Sequence, residues 1–519
     1  MRGMTGGDDN IALGRNSFRN NLSGSCNIAL GVDALCSNTT GCRNVALGQS
    51  SLRSNTTGCY NVAFGQYSLC SNTTGNSNVS LGNRSLLFNT TGAYNVSLGV
   101  SSLRNNTTGI FNVALGNGSL QCNTTGGSNV ALGCGSLVYN TTGCFNVALG
   151  AFSLCRNTTG CNNIAIGLSS LTNNTTARNN VALGNNSLYG NTTGGYNVAL
   201  GHRSLRSNTT GSRNIAFGDR ALYNPTASNC NIAIGYNSMR TMTGGDDNIA
   251  LGRNSFRNNL SGSCNIALGV DALCNNTDGG FNVALGNQSL FYNTTGGNNV
   301  ALGRNSLRSN TTGQNNVSLG YSSLRCNTTG CFNVALGASL RCNTTGANNV
   351  SIGLNSLHLN TTGCGNIAFG QSSLYNPTAS NCNIAIGYNS MRGMTGGNDN
   401  IALGRNSFRN NLSGSCNIAL GLNALCSNTT GSHNVSLGNS ALRYNTTGGY
   451  NVGIGFNVQS GGFTGSVILG SCAEATAGGQ FSLGSANFPI GPTASESCTS
   501  NTTLQIILNG NTYKLLLFK

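Results

Sequence analysis

The chain repeats itself every 17 residues, and no other property constrains its fold as much. The segment from Asn44 reads NVALGQSSLRSNTTGCY, that from Asn61 NVAFGQYSLCSNTTGNS, and that from Asn78 NVSLGNRSLLFNTTGAY. The register runs unbroken from Asn10 to Asn333, loses one residue before Asn349, and resumes through Asn451, giving 27 motif starts. Two looser units follow, SVILG at Ser466 and QFSLG at Gln480, where the spacing falls to 15 and then 14 residues. Larger blocks are duplicated as well. MTGGDDNIALGRNSFRNNLSGSCNIALG stands at Met4 and Met242 with a close relative at Met394, and NPTASNCNIAIGYNSM stands at Asn224 and Asn376. A chain that accepts whole blocks in this way reads as a solenoid, where each repeat mainly touches its neighbours.

Within one unit, Val45 and Leu47 alternate with Ala46, the period-2 signature of a short strand with one buried face. Val45 and Leu47 are expected inside. Gly48 permits a bend, Leu52 supplies a second apolar anchor, and Asn55-Thr56-Thr57-Gly58 reads as a turn. So few large apolar side chains cannot hold a rung folded alone, so stacked rungs must share a core and satisfy each other's backbone hydrogen bonds. Asn44, Asn61 and Asn78 are expected to form a hydrogen-bonded ladder beside the column of Val45, Leu47 and Leu52. Helix is disfavoured by the apolar spacing and by the abundance of Gly, Asn and β-branched residues. The expected fold is all-β, a parallel β-roll or β-solenoid of 17-residue rungs. A shaft is expected over 1–458, shorter-period rungs over 459–496 and a C-terminal β-hairpin cap over 497–519, where two apolar runs flank Asn509-Gly510. Twenty-seven rungs stacked at about 4.8 Å would make a rod on the order of 130 Å.

The middle strand position is occupied by Ala46, Ala63, Ser80, Ser97, Ala114 and, late in the chain, Gly453. A solvent-facing position tolerates Lys, Glu or Thr. Restriction to tiny residues points to close approach of another surface, and a homotrimer packed along a shared axis is the expectation, with a monomeric or dimeric solenoid as the alternative.

NVALG, NIAIG and NVSLG resemble the head-domain repeats of trimeric autotransporter adhesins. The resemblance implies a left-handed parallel β-roll assembled in threes. It covers the five-residue motif in nearly every rung, but that family's rungs are shorter than these, the excess lying in the SLxxNTTG half. The closing LQIILNGNTYKLLLF, from Leu504 to Phe518, is similar to C-terminal ends of fibre-like proteins of large DNA viruses and tailed phages. No secretion segment or membrane-anchor barrel is read in the sequence, so a complete bacterial autotransporter is not expected, and assembly inside a host cell before release fits.

There are 22 Cys, an unusual number for a reducing compartment. Cys42 and Cys59 lie one period apart, as do Cys144 and Cys161, while Cys326 and Cys342 share a slot across the 16-residue rung. Rungs about 4.8 Å apart fall within disulfide reach, so these pairs are candidate cross-rung disulfides, with small apolar filler as the alternative. Asn38, Asn55, Asn72, Asn89, Asn123 and Asn140 each begin an N-glycosylation pattern in a turn. The alternative is that Asn-Thr-Thr-Gly is simply the turn that works. The formal net charge is +15. Arg53, Arg104, Arg206, Arg308 and Arg341 each follow the second Leu of their rung and would form a sparse basic stripe able to meet nucleic acid, anionic glycan or membrane. No aromatic interleaving accompanies it, so nucleic acid is not expected.

Catalysis has no support. Only 11 acids are present. Asp8-Asp9 and Asp246-Asp247 fall far short of a calcium loop, and the third copy of that block carries Asn398-Asp399. His202, His358 and His433 are far apart, and no nucleophile, phosphate-loop or dinucleotide motif appears. No metal or cofactor is expected. The function expected is a structural fibre or adhesin-like shaft on a virion or cell surface, spanning distance and mediating attachment to a surface glycan or receptor. A self-assembling extracellular filament is the first alternative, and an ice-binding solenoid, from the ranks of Thr, the second.

Overall fold

The computed structural model describes residues 5–487, 503–508 and 511–516. The chain divides into two compact units, Met1–Asn349 and Val350–Lys519. The division falls beside the rung that is one residue short.

Both units are parallel β-solenoids without helix among the described residues. In the first, three-residue strands run from Ile11–Leu13 to Val334–Leu336, one per rung. As far as Val317–Leu319, each pairs with the strand 17 residues on, as in Val45↔Val62, Ala46↔Ala63 and Leu47↔Phe64. The second unit repeats this from Val350–Ile352 to Phe481–Leu483. Its last pairings, Val452↔Val467 and Val467↔Phe481, carry the shorter period. That unit also holds an antiparallel pair, Thr503–Leu508 with Asn511–Leu516. The Asn509-Gly510 turn lies outside the described residues.

Every rung is held by the next. Val45 N–H donates to Asn61 O (2.8 Å), Leu52 N–H to Ser68 O (3.0 Å) and Thr56 N–H to Thr73 O (2.9 Å), while Gly48 N–H donates backward to Leu30 O (2.8 Å). The bends that make this possible use left-handed backbone. Gly48 has φ 130°, and a Cβ there would lie 2.7 Å from the carbonyl of Gly65, so only glycine fits. Ser50, Leu52 and Tyr60 have φ of 57°, 47° and 62°. A left-handed Leu costs about 1–2 kcal/mol. Full burial of Leu52 and its bond to the next rung offset that cost.

The strand faces the opposite way from the expectation. Ala46, Ala63 and Ala114 are fully buried, while Val45 and Leu47 are only partly covered. The coil is thin, and the strand wall lies directly against the wall that carries Leu52. At Gly453, a Cβ would sit 2.6 Å from Leu442 Cγ. Where the middle residue is Ser, it bonds across the same gap: Ser68 Oγ donates to Ser80 Oγ (2.7 Å), and Ser80 Oγ donates to Ser85 Oγ (2.8 Å). The small residues therefore answer to the coil's own interior rather than to a neighbouring chain, and Val45 and Leu47 belong to the outer face.

Candidate functional site

Among the described residues the interior of the coil is filled, and its outside is the candidate functional surface. Two asparagine columns take up most of the polar interior. Asn44 donates its backbone N–H and its Nδ2 to Asn27 Oδ1 (2.9 and 3.1 Å), and its Nδ2 also reaches Gly58 O (2.8 Å). Asn61 and Asn78 repeat the pattern one rung at a time.

The second column consists of the sequon asparagines. Asn38, Asn55, Asn72, Asn89, Asn123 and Asn140 are all fully buried. Asn55 Nδ2 donates to Asn38 Oδ1 (2.7 Å) and to Gly58 O (2.9 Å), so both amide hydrogens are taken. Asn89, Asn123 and Asn140 are tied in the same way. In the folded coil these nitrogens have no room for a sugar, and Asn-Thr-Thr-Gly serves as a turn with an internal ladder. This column is interrupted once in each unit. Pro225 and then Met242 replace Asn in the first, Pro377 and Met394 in the second, all buried. Asn208 Oδ1, facing Pro225, is left buried without a donor.

Thr57 lies on the exposed corner, whereas Thr56 is half-buried with its Oγ1 donating to Thr73 O (3.0 Å). The outward Thr rank is thus one residue wide. Thr57→Ala destroys the sequon yet leaves the ladder, and is expected to change stability by less than about 0.5 kcal/mol. Asn55→Ala should cost several times more. Equal acceleration of amide exchange in the flanking rungs by the two substitutions would contradict the ladder account.

The six paired cysteines are free thiols. Cys42 N–H donates to Cys59 Sγ (3.1 Å) and Cys144 N–H to Cys161 Sγ (3.1 Å). Other rungs fill the same slot with Asn76, whose Oδ1 accepts from Cys59 N–H (2.7 Å), or Ser212, whose Oγ accepts from Gly195 N–H (3.1 Å). Where the slot carries an acceptor it takes the N–H of the rung before, and sulfur is one such acceptor; Ala93, Ile110 and Gly127 fill the slot without one. Asp246 plays the same part, accepting from Asn229 N–H (2.6 Å), so the paired acids belong to this rung-to-rung bonding. Cys326 and Cys342 lie elsewhere, on the arginine side. Burial first, then Cys326, pushes the Cys342 thiol up. Burial, aided by Asp271, pushes Cys274 up to about 11, so it is a neutral thiol at ordinary pH. Among the described residues no group of three or more His, Cys, Asp or Glu converges. His202 meets Asp219 (3.2 Å), while His358 and His433 stack on Tyr375 and Tyr450.

Two outward features remain. One is the sheet face, where each rung presents a pair such as Val45 and Leu47. Several members are more than a third exposed, including Ile164 (37%), Phe217 (38%) and Ile454 (41%). The other is the column that follows the buried Leu, Phe or Met. It holds Arg53, Arg104, Arg206, Arg308 and Arg341, together with consecutive pairs such as Arg240–Arg257 and Arg392–Arg409. Between Arg19 and Arg443 no acid occupies this column. Among the described residues the only ion pairs involve Asp219, which stands elsewhere on the rung.

No family model, curated protein or solved structure matches this chain. The geometry alone therefore carries the reading. The fold is that of fibrous, structural repeat proteins: a stacked parallel coil whose interior is sealed by alanine, leucine and two asparagine ladders. No helix among the described residues is long and apolar enough to cross a membrane. Sequence reasoning found the motif-asparagine column through its strict repetition. It read Asn-Thr-Thr-Gly as a turn beside the glycosylation reading, but did not see that the Asn side chains of that turn form a second ladder.

Proposed function

We propose that this protein is a fibre subunit that associates with copies of itself through the outer face of its sheet and serves attachment at a virion or cell surface. The observation that carries this is the apolar strip. Each rung turns one Val or Ile and one Leu, Ile or Phe outward, and the first unit alone stacks twenty such rungs. An ordinary monomer's largest apolar patch is roughly 300–600 Å², and a strip of forty partly exposed aliphatic and aromatic side chains far exceeds it. Obligate interfaces are this apolar and this continuous. Flat, repetitive and self-similar, the strip is best matched by another copy of itself, and three copies around an axis would bury it completely. The hairpin at Thr503–Leu508 and Asn511–Leu516 is proposed as the end cap that sets the register of the copies.

Light scattering with small-angle X-ray scattering tests the self-association. A particle near three times 53.1 kDa is expected. Replacing outward residues in several neighbouring rungs, as in Val113→Lys with Leu115→Lys and their counterparts, should yield folded 53.1 kDa monomers. A wild-type monomer with the strip intact would sink this reading. Open-ended growth of mass would favour a filament.

A further inference from the structure

The basic column gives the attachment reading a ligand. We infer that it binds a linear acidic polysaccharide lying along the stacking direction, with anionic groups on successive stacked guanidinium groups. The inference rests on the attachment reading but not on self-association.

Arg308, Arg325 and Arg341 stand on three consecutive rungs. Ser309 N–H donates to Arg325 O (2.9 Å) and Cys326 N–H to Arg341 O (3.0 Å), which places the three backbones directly over one another. The three side chains thus leave the backbone about one rung, ~4.8 Å, apart; Arg308 Nε donates to Gln288 Oε1 (3.1 Å), and no carboxylate lies in salt-bridge range among the described residues. Like charges on neighbouring rungs repel, and a ligand with negative groups at a similar repeat relieves the repulsion over these three rungs. A second cluster has a cavity. Arg392, Arg409, Tyr375, Gly393, Asn376 and Asn410 line a cleft of about 240 Å³. Gly393 leaves it open. In the duplicated block Thr241 takes that place and donates its Oγ1 to Arg257 O (3.0 Å), while the Arg pair is kept.

The chemistry favours a sulfated or carboxylated glycan over nucleic acid. The column is one residue wide, too narrow for a duplex footprint. Contrary to the sequence reading, aromatic rings do interleave with this column, as at Tyr189, Tyr223, Phe291 and Tyr375, but bound single strands need open aromatic faces for their bases, and these rings are covered. Arg308 covers Phe291 and Tyr292 (5.6 and 5.1 Å to the centroids), and Tyr375 lies between Arg392 (5.9 Å) and His358 (5.2 Å). What remains for a ligand is guanidinium charge with side-chain amides and hydroxyls, which suits sulfate, carboxylate and sugar hydroxyl groups.

The test uses the full chain with dextran sulfate, neutral dextran and single-stranded DNA as probes, in near-physiological salt. Two triple variants lose the same charge. Arg308→Gln/Arg325→Gln/Arg341→Gln empties part of the column; Arg43→Gln/Arg178→Gln/Arg213→Gln removes exposed arginines from another edge. Circular dichroism melting checks that each stays folded, and a triple Arg→Lys column variant preserves the charge if the Gln variant does not fold. The expected result is a loss of dextran sulfate affinity of about tenfold or more for the column variant, with a shallower salt dependence, and less than about threefold for the control. The Lys variant should remain within a few-fold of wild type. Equal losses in the two Gln variants, no binding of dextran sulfate, equal binding of neutral dextran, or preferential binding of DNA would each overturn the proposal. Adherence to cells before and after enzymatic removal of sulfated glycans separates the two readings. Glycan binding without adherence would sink attachment, while adherence that survives desulfation in the absence of dextran sulfate binding would sink only this inference.

Discussion

Replacing Asn61 with alanine is expected to destabilise its part of the coil by about 4 kcal/mol and to deprotect the amide of Asn78. Asn61 Oδ1 accepts from Asn78 N–H (3.0 Å) and Asn78 Nδ2 (3.1 Å), while Asn61 Nδ2 donates to Asn44 Oδ1 (3.1 Å) and Gly75 O (2.8 Å). Alanine strips all four bonds from groups that are fully buried in the coil. Each buried group left without a partner costs roughly 1–3 kcal/mol. Native-state hydrogen exchange is the proper measurement, because a stacked-repeat chain opens locally and a single global unfolding energy is not well defined for it. Exchange should accelerate at Asn78 and in the flanking rungs and stay unchanged several rungs away. Unaltered protection at Asn78 would mean that the side-chain ladder is incidental to the backbone ladder.

The second large effect separates two adjacent residues of one strand. Ala114→Asp buries a carboxylate against the opposite wall of the coil, and Ala114 is fully inaccessible. No cation lies within, so the expected cost is several kcal/mol, on the order of 3–5, enough to open the rungs around it. Leu115→Asp changes a partly exposed outward residue, and should cost only about 1 kcal/mol in an isolated coil. Thermal melts of the two variants, compared under conditions where wild type is monomeric, give the answer. If Leu115→Asp is the more damaging, the strand faces the other way and the interior is built from Val and Leu.

That contrast also shows what could be read from the sequence. The rung length, the three-residue strands, the bend at Gly48 and the inter-rung pairing all follow from a period that needs no structural knowledge to detect. The facing of the strand did not follow. Hydrophobic alternation says that Val45 and Leu47 share a side, not which side is inside, and the usual assumption sends the larger pair inward. The deciding signal was present in the tiny residue between them, but it was assigned to a contact between chains when it reports the thinness of a single coil. The sequon column was hidden in the same way. Asn276-Thr277-Asp278 keeps the asparagine while losing the glycosylation pattern, and its Nδ2 still donates to Asn259 Oδ1 (2.9 Å). The left-handed Leu52 could not be foreseen, because branched side chains rarely adopt that backbone and only the stacked environment holds it there.

The two interruptions of the inner asparagine column have a mechanical consequence. Tension along the stack pulls rung from rung, and resistance at each junction scales with the bonds that must break together. Where Pro225 and Met242, or Pro377 and Met394, stand in place of asparagine, the junction keeps its strand pairing and the motif-asparagine ties, such as Asn248 Nδ2 to Asn231 Oδ1 (3.1 Å), but loses the ties of the second column. Each unit thus carries its own yield point at a fixed place in its length. Under load the coil would part there first, lengthening by a defined step while the fully tied rungs on either side hold, so that a strong pull is absorbed as extension rather than as rupture.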